Sequence, residues 1–254
     1  EAMIGESDHS NYELASSTLA LSTTTVLYIK GDEIASSTSI KDSSFSGKAV
    51  TASGDAKTVG GGKIGNAITF DGTGDYLSAA DSDDWFFGTG NFTIDFWVRF
   101  SSISTQRIMS QIQISGDTLW QIVYSNSATN RFYISSLTSN LVTIQWYFSF
   151  TPSVGQWYHI AFVRKGTALS DLMAFLNGVS QTTALDNGSA SGSFDNHSAS
   201  LNIGKYDSSY FNGLLDEVRI LKGTALIADQ IRQAYEYGLR SHQITIDFGA
   251  TLQP

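Results

Sequence analysis

Hydrophobic and polar residues alternate along much of the chain, and the alternation is clearest in residues 92–100, FTIDFWVRF. Every even-numbered residue there, from Phe92 to Phe100, is aromatic or aliphatic. A period of two is typical of a β-strand with one face on a core and the other face closer to water. The segment is therefore predicted to be a strand with one buried face.

Similar β-branched and aromatic runs recur along the chain, with turn-forming residues between them. The predicted strands are residues 26–29, 49–52, 67–70, 76–77, 107–114, 119–124, 131–135, 141–150, 156–164, 201–204 and 211–220. Asn177 and Gly178 lie between apolar residues and predict a hairpin, because both turn residues must adopt positive φ. Short strands joined by turns are typical of an antiparallel two-sheet sandwich.

One helix is predicted, over residues 228–239, and residues 244–248 then alternate again like a strand. The apolar stripe of the helix, at helical spacing, consists of Ile227, Ile231, Ala234, Tyr235 and Leu239. We therefore divide the chain into a leader or linker over residues 1–25, a sandwich domain over residues 26–222 and a helix-and-strand extension over residues 223–254.

The composition is that of a folded globular chain, with 41% hydrophobic and 15% charged residues. The net charge of −9 argues against nucleic acid as a partner, because Lys and Arg that neutralise phosphates dominate such binding. It disfavours an anionic membrane surface for the same reason, and no apolar run approaches the roughly 18 residues of a membrane span. The absence of cysteine excludes disulfides and thiolate metal sites.

The order of these segments resembles the laminin-G-like, concanavalin A-like jelly-roll family over most of residues 26–220. The segments that carry the resemblance are 63–67 (KIGNA), 70–72 (FDG), 75–77 (DYL), 92–94 (FTI), 96–98 (FWV), 157–159 (WYH) with Ala161, 176–178 (LNG), 203–204 (IG), 211–213 (FNG) and 216–220 (DEVRI). Their order and spacing together carry the resemblance, rather than any one motif. Together with the pattern, it implies an all-β, two-sheet antiparallel jelly-roll sandwich with one short C-terminal helix.

Members of that family occur in secreted, cell-surface and virion proteins, and many are carbohydrate-binding or adhesive modules. The resemblance implies a non-enzymatic, extracellular glycan-binding or adhesion module of a larger bacterial surface protein, next to other domains of that longer chain. Three alternatives stay open: a phage tail or virion surface domain for host recognition, a structural spacer without a ligand, and a glycoside hydrolase. Hydrolysis ranks last because it needs two facing carboxylates, and the chain lacks the Glu-x-Asp-x-(x)-Glu run of related glucanases.

Carbohydrate binding calls for aromatic platforms with amide or carboxylate neighbours, because ring faces supply contact area and polar groups supply orientation. The predicted ligand-binding residues are Tyr206, Asp207, Tyr210, Trp120 and Trp146. Residues 206–210 are the favoured segment, since two tyrosines flank polar residues there. The alternative for each of these aromatic residues is a place in the core or in an interface.

Calcium is the predicted cofactor, because it takes several oxygen ligands from short carboxylates and backbone carbonyls. In related folds an aspartate on the last long strand, matching Asp216, meets an acidic residue near the first strand. Asp32 or Asp42 is the predicted partner, with Asp71 as a further ligand. A carboxylate in so apolar a strand is costly unless it is exposed, hydrogen-bonded or metal-bound. The alternative is a salt bridge from Asp216 or its neighbour Glu217 to an arginine such as Arg219.

Overall fold

The computed structural model describes residues 22–113, 118–127 and 129–240. The strands are β1 (Thr25–Ile29), β2 (Val50–Ser53), β3 (Lys57–Gly60), β4 (Asn66–Asp71), β5 (Tyr76–Ala79), β6 (Phe92–Phe100), β7 (Gln106–Gln113), β8 (Thr118–Ser125), β9 (Arg131–Thr138), β10 (Leu141–Ser149), β11 (Trp157–Arg164), β12 (Leu172–Leu176), β13 (Val179–Ser180), β14 (Ala184–Gly188), β15 (Leu201–Ile203), β16 (Lys205–Tyr206), β17 (Ser209–Tyr210) and β18 (Asn212–Lys222). One α-helix, α1 (Ala228–Arg240), and two single 3₁₀ turns, Asp83–Trp85 and Leu169–Asp171, complete the described elements.

Two eight-stranded antiparallel sheets hold most of these strands. Sheet I has the order β13-β12-β11-β6-β18-β4-β3, and β1 also pairs with β18. Sheet II has the order β14-β10-β9-β8-β7-β15-β5-β2. Strands β16 and β17 form a separate two-stranded hairpin. The predicted all-β antiparallel sandwich is thus confirmed.

The core lies between the two sheets and is rich in aromatic side chains. The alternating apolar residues of β6 all face it, as the period of two predicts, and each is 0% exposed. The prediction that the other face of β6 lies closer to water is wrong, because Thr93, Asp95 and Trp97 are buried as well. Burial of one such side chain is worth about 1.5–3 kcal/mol. The sandwich is therefore stabilised mainly by the inward faces of its strands.

The outer face of sheet I is covered by α1. Ile231 of the helix is buried in a small apolar cluster on that face, and the ring of Tyr235 stacks on Trp97 with centroids 5.5 Å apart. The predicted apolar stripe is wrong at its two ends, since Ile227 is 60% and Leu239 is 37% exposed. Ile227 directly precedes the helix and Leu239 is its next-to-last residue, so both lie at its ends.

Most predicted strands are present within one or two residues, and the Asn177-Gly178 turn joins β12 and β13 with both residues at positive φ. Strands β3 and β14 and the β16–β17 hairpin are not among the predicted strands, because they are short or polar. The predicted strand at residues 244–248 and nearly all of the predicted leader at residues 1–25 lie outside the described residues. The leader's last residue, Thr25, begins β1.

Candidate functional site

The outer face of sheet II carries an ordered set of side chains on strands β7 to β10, which we call the tyrosine face. Cross-strand register arranges its residues in three rows. The aromatic row is Arg107, Val123, Tyr133 and Tyr147; the polar row is Ser110, Gln121, Ser135 and Gln145; the apolar row is Ile112, Leu119, Leu137 and Val142. Rows of outward residues two positions apart lie about 7 Å from each other along the strands.

The polar row forms a hydrogen-bonded floor. The amide of Gln121 donates to the hydroxyl of Ser135 at 3.3 Å and accepts from Nη1 of Arg107 at 2.6 Å. Gln145, at the end of the row, donates to Asp186 of β14. Ser110, Gln121 and Ser135 are buried, whereas Gln145 is partly exposed. These bonds fix the amides in place beneath the larger side chains.

Tyrosine rings and arginines stand above this floor. The Arg107 guanidinium lies 4.5 Å from the centroid of Tyr206, a residue of the β16–β17 hairpin. The Arg131 guanidinium lies 5.0 Å from the Tyr147 ring and pairs with Asp186 at 2.9 Å. Burial raises the pKa of Tyr133, and the nearby Arg107 opposes that rise. Three partly exposed tyrosines, 133, 147 and 206, therefore surround polar groups on one face.

The β16–β17 hairpin flanks the tyrosine face along β7. Ser110 Oγ donates to the Lys205 carbonyl at 2.7 Å and fastens the hairpin to the strand. Asp207 turns the hairpin at φ 50°. An open cavity of about 260 Å³ lies between the hairpin and the apolar row; its lining residues are Ile112, Gln113, Leu119, Leu137, Asn140, Tyr206 and Asp207. Its volume is slightly below the range of about 300–1,000 Å³ typical of small-molecule sites.

The structure separates the predicted ligand-binding residues into two groups. Tyr206 and Asp207 line the cavity, and Tyr210 faces the other side, 6.4 Å from the Tyr76 ring. Trp120 and Trp146 are both 0% exposed. The prediction that these two tryptophans contact a ligand is wrong, because they face inward and pack against core phenylalanines.

Arg107, Gln121 and Tyr133 are not among the site residues predicted from the sequence. Strict alternation was the available signal: in β8 and β10 it places each tryptophan on one face and the next residue, Gln121 or Tyr147, on the other. A prediction based on aromatic character alone therefore selects the inward residue, Trp120 or Trp146, in each of these strands.

A second set of chemically active side chains lies under α1, on the outer face of sheet I; we call it the buried charge cluster. Its members are Tyr28, Asp95, His159, Asp216, Glu217 and Arg219. Arg219 donates two hydrogen bonds to Asp95, at 2.9 and 2.7 Å, and His159 Nε2 lies 3.4 Å from the same carboxylate. Although burial alone would raise the pKa of Asp95, Arg219 and His159 lower it to about 2.

This pairing corrects the predicted salt bridge from Asp216 or Glu217 to Arg219, whose hydrogen bonds go to Asp95. Burial and the adjacent Glu217 raise the pKa of Asp216 to about 8, and burial raises the pKa of Glu217 to about 7. Glu217 sits at φ 51° in a β-bulge and accepts a hydrogen bond from the Tyr28 hydroxyl.

A cavity of about 20 Å³ lies inside the buried charge cluster and beside residues of α1. That volume holds about one water molecule. The cluster is too enclosed for a saccharide, and it joins β1, β6, β11 and β18 beneath the helix.

The four aspartates predicted as calcium ligands lie at different places. Asp42 accepts four hydrogen bonds from its own loop and from Tyr28 N, and exposed Asp71 accepts one from Thr73 N within its turn. Asp216 and Asp32 flank one loop: Asp216 Oδ2 accepts from the backbone of residues 63 and 64, and Asp32 Oδ1 from that of residue 66. No three carboxylate or imidazole groups within the described ranges are placed to hold a metal ion.

Asp216 and Asp32 nevertheless keep one feature that fits a cation. Asp216 Oδ1 is buried and finds no hydrogen-bond partner among the described residues, and Asp32 contributes to the raised pKa of Asp216. Calcium held by this pair, with carbonyl and water oxygens completing its shell, stays a prediction. The carboxylates of Asp42 and Asp71 instead accept hydrogen bonds within their own loops.

Thermal unfolding in 2 mM CaCl₂ and in EDTA checks this prediction. At a free calcium concentration about 100 times Kd, binding to the native state adds about 2.7 kcal/mol, or about 5–11 °C in Tm for a domain of this size. The Asp216→Asn variant is expected to lose the shift, and Asp71→Asn to keep it. An unchanged Tm of the wild type between the two buffers would rule calcium out as a structural ion.

Comparisons with family models and with solved structures place this architecture among known proteins. The family model described as concanavalin A-like lectin/glucanases superfamily matches residues 71–232. A comparison with curated protein sequences yields no significant match. No helix in the described part of the chain is long and apolar enough to cross a membrane.

Several solved structures share the fold at low sequence identity. The binding domain of Paraclostridial Mosquitocidal Protein 1 is 14% identical with a TM-score of 0.64, over 84% of this chain and 52% of that one. The binding domain of botulinum neurotoxin DC, solved in complex with SialylT, is 13% identical with a TM-score of 0.64, over 85% and 52%. The chain thus spans about half the length of these toxin domains.

The third similar structure is matched over nearly its whole length. Domain 4 of AbnA, an extracellular GH43 arabinanase from Geobacillus stearothermophilus, was solved in complex with arabinotriose; it is 19% identical with a TM-score of 0.60, over 82% of this chain and 96% of that one. These structures share the sandwich, and the family model covers well over half of the chain. The chain therefore belongs to the concanavalin A-like lectin/glucanases superfamily.

Proposed function

We propose that this chain is a non-catalytic glycan-binding module and that the tyrosine face is its binding surface. The observation that carries the proposal is the arrangement of three partly exposed tyrosines, 133, 147 and 206, around a floor of fixed amides. Ring faces supply apolar area against the C–H groups of a sugar, and polar groups set its orientation. The adjoining cavity at Tyr206 and Asp207 extends this surface toward the apolar row.

The similar structures support a carbohydrate as the ligand class. One was solved with arabinotriose and another with SialylT. The arabinanase is extracellular by its own description, which favours an extracellular module in a longer bacterial surface protein. The same module on a virion is the alternative, and it would use the same face.

The side chains around the cavity favour binding over hydrolysis. Glycosidases of the common type need two carboxyl groups about 5–9.5 Å apart across the scissile bond. Asp207 is the only carboxylate among the described residues that line the cavity. Asp95 and Asp216 are buried on the other sheet, and the partly exposed Glu217 lines a cavity beside α1 that holds about one water molecule.

A glycan array probed with the wild-type chain and with the Tyr206→Ala variant tests the proposal. We expect the wild type to bind a subset of glycans and the variant to bind them at least tenfold more weakly, which corresponds to about 1.4 kcal/mol. Phe45→Ala is the matched control, because Phe45 is a 64% exposed aromatic residue of the β1–β2 loop, away from the tyrosine face. Isothermal titration with the best-bound glycan gives the ratio of affinities.

Two outcomes would contradict the proposal. If the wild type binds no glycan on the array, the chain is not a glycan-binding module of this kind. That result would favour the alternative of a structural spacer without a ligand. If Tyr206→Ala and Phe45→Ala both bind like the wild type, the ligand occupies some other surface. Melting temperatures of the three proteins, expected to agree within about 2 °C, separate loss of binding from loss of fold.

A further inference from the structure

Arg107 is a cation that has no carboxylate partner among the described residues. Its side-chain contacts are the Gln121 amide, the Tyr133 hydroxyl and the face of Tyr206. All three are neutral groups. The side chain is partly exposed, and none of its nitrogens is a buried atom without a partner. Its remaining N–H groups therefore face solvent on the tyrosine face.

The neighbouring Arg131 shows the usual arrangement and serves as an internal comparison. Arg131 also lies over tyrosine rings, but its charge is balanced by Asp186 at 2.9 Å. Two arginines on one face thus have the same stacking and different electrostatics. Only Arg131 already has its counter-ion within the described residues.

A second cation, Lys205, lies on the opposite side of the hairpin from Tyr206. Lys205 Nζ lies 4.1 Å from the Tyr76 ring centroid and 5.9 Å from that of Tyr210. It forms no salt bridge within the described ranges. The opposing charge is Asp207, which is exposed at the turn of the hairpin. In a chain of net charge −9, this is a local reversal of sign.

We infer that the tyrosine face takes an acidic saccharide and that the carboxylate of one sugar unit pairs with Arg107. The inference rests on the proposed function and adds the chemical class of the ligand. A guanidinium presents a planar fork of five N–H donors that matches a carboxylate bidentately. Gln121 and Tyr133 occupy part of that fork, and the Tyr206 ring holds its plane, so the free edge is oriented before the ligand arrives.

The negative charge of the whole chain makes this pairing selective. An acidic glycan is repelled by most of the surface at low ionic strength. It gains attraction at Arg107, which lies against the Tyr206 side of the hairpin. A neutral sugar can use the tyrosine rings but leaves Arg107 without a counter-ion, so the acidic form of the same glycan is expected to bind more tightly.

An array of matched pairs, each an acidic glycan and the same glycan with its carboxyl group reduced to an alcohol, tests the inference. We expect the wild type to prefer the acidic member of every bound pair by at least tenfold, with the preference weakening between 50 and 300 mM NaCl. Arg107→Gln should remove the preference, because it should weaken binding of the acidic members at least tenfold more than binding of their reduced counterparts. Arg107→Lys should keep part of it, because a lysine supplies charge without the fork.

Lys57→Gln is the matched control, since Lys57 lies on edge strand β3 of sheet I and its removal changes net charge equally. Equal binding of acidic and reduced members by the wild type would overturn the inference and leave the proposed function standing. Binding of neither member of any pair would overturn both. If Arg107→Gln and Lys57→Gln reduce the preference for acidic glycans equally, the preference comes from the overall charge of the chain, and the role of Arg107 is overturned.

Discussion

Replacing Trp146 by alanine is expected to lower the free energy of unfolding by about 3–5 kcal/mol, the usual cost of removing a fully buried tryptophan. The side chain is 0% exposed and its ring lies 6.0–6.2 Å from those of Phe92, Phe162 and Phe194. The alanine leaves a void that these rigid rings cannot fill. Urea unfolding followed by circular dichroism measures the loss.

The conservative variant Trp146→Phe sharpens this expectation. It keeps a ring in the cluster, and the indole N–H that it removes has no hydrogen-bond partner in the described part of the chain. We therefore expect a loss less than half of that for alanine. A Trp146→Ala chain as stable as the wild type would mean that this side chain is not in the core and that the register of β10 is wrong.

Tyr147→Ala is the matched control one residue along the same strand. Tyr147 faces outward beside Arg131, so its truncation is expected to change stability by less than about 1 kcal/mol and to weaken glycan binding. Trp146→Ala is thus expected to lower mainly the stability, and Tyr147→Ala mainly the affinity for a glycan. Loss of stability in both, with binding kept in both, would contradict the assignment of faces.

The fold followed from the sequence because each strand carries its own evidence. Residues 92–100 alternate so regularly that their inward face could be read without any partner strand. The Asn177-Gly178 turn is equally local, since two adjacent residues specify the hairpin. Short polar strands such as β14, with the sequence ALDNG, carry no such signal and become strands only through pairing with β10.

The candidate site was only partly predictable, because it depends on which strands lie side by side. Gln121, Ser135 and Gln145 are far apart in the chain and form one row only once the register of β8, β9 and β10 is set. The hairpin at Tyr206 could be marked from its composition, but the contact between Tyr206 and Arg107 could not. Long-range register therefore limits what residue types alone reveal.

The two outer faces of the sandwich differ in solvent exposure. Helix α1 covers the outer face of sheet I around Trp97, whereas Arg107, Tyr133 and Tyr147 of the tyrosine face, on sheet II, stay partly exposed. The covered face holds the paired charges Asp95 and Arg219, and the exposed face holds Arg107 without a carboxylate. A buried charge needs a counter-ion within the fold. An exposed charge such as Arg107 is stable without one and can pair with a carboxylate of a ligand.

The charge pair beneath the helix leads to the second large expected effect. Arg219→Ala is expected to cost about 3–5 kcal/mol, because it leaves the Asp95 carboxylate buried without its main partner. Asp95 and Arg219 are 2% and 5% exposed, so water cannot easily replace the guanidinium. The double variant Asp95→Leu with Arg219→Met is expected to recover most of the loss, because both charges are then removed together.

The pH dependence of unfolding distinguishes a lost charge pair from a simple cavity. The folded pKa of Asp95, about 2, lies below its ordinary value, so the pair contributes stability that is present above about pH 4 and lost as pH falls through about 2. Between pH 4 and 2 the wild type should therefore lose more stability than the double variant, measured by urea unfolding in EDTA. Parallel curves of unfolding free energy against pH for the two proteins would show that Asp95 is not held ionised in the native state. A double variant no more stable than Arg219→Ala would instead attribute the loss to packing, because removing the second charge would then have restored no stability.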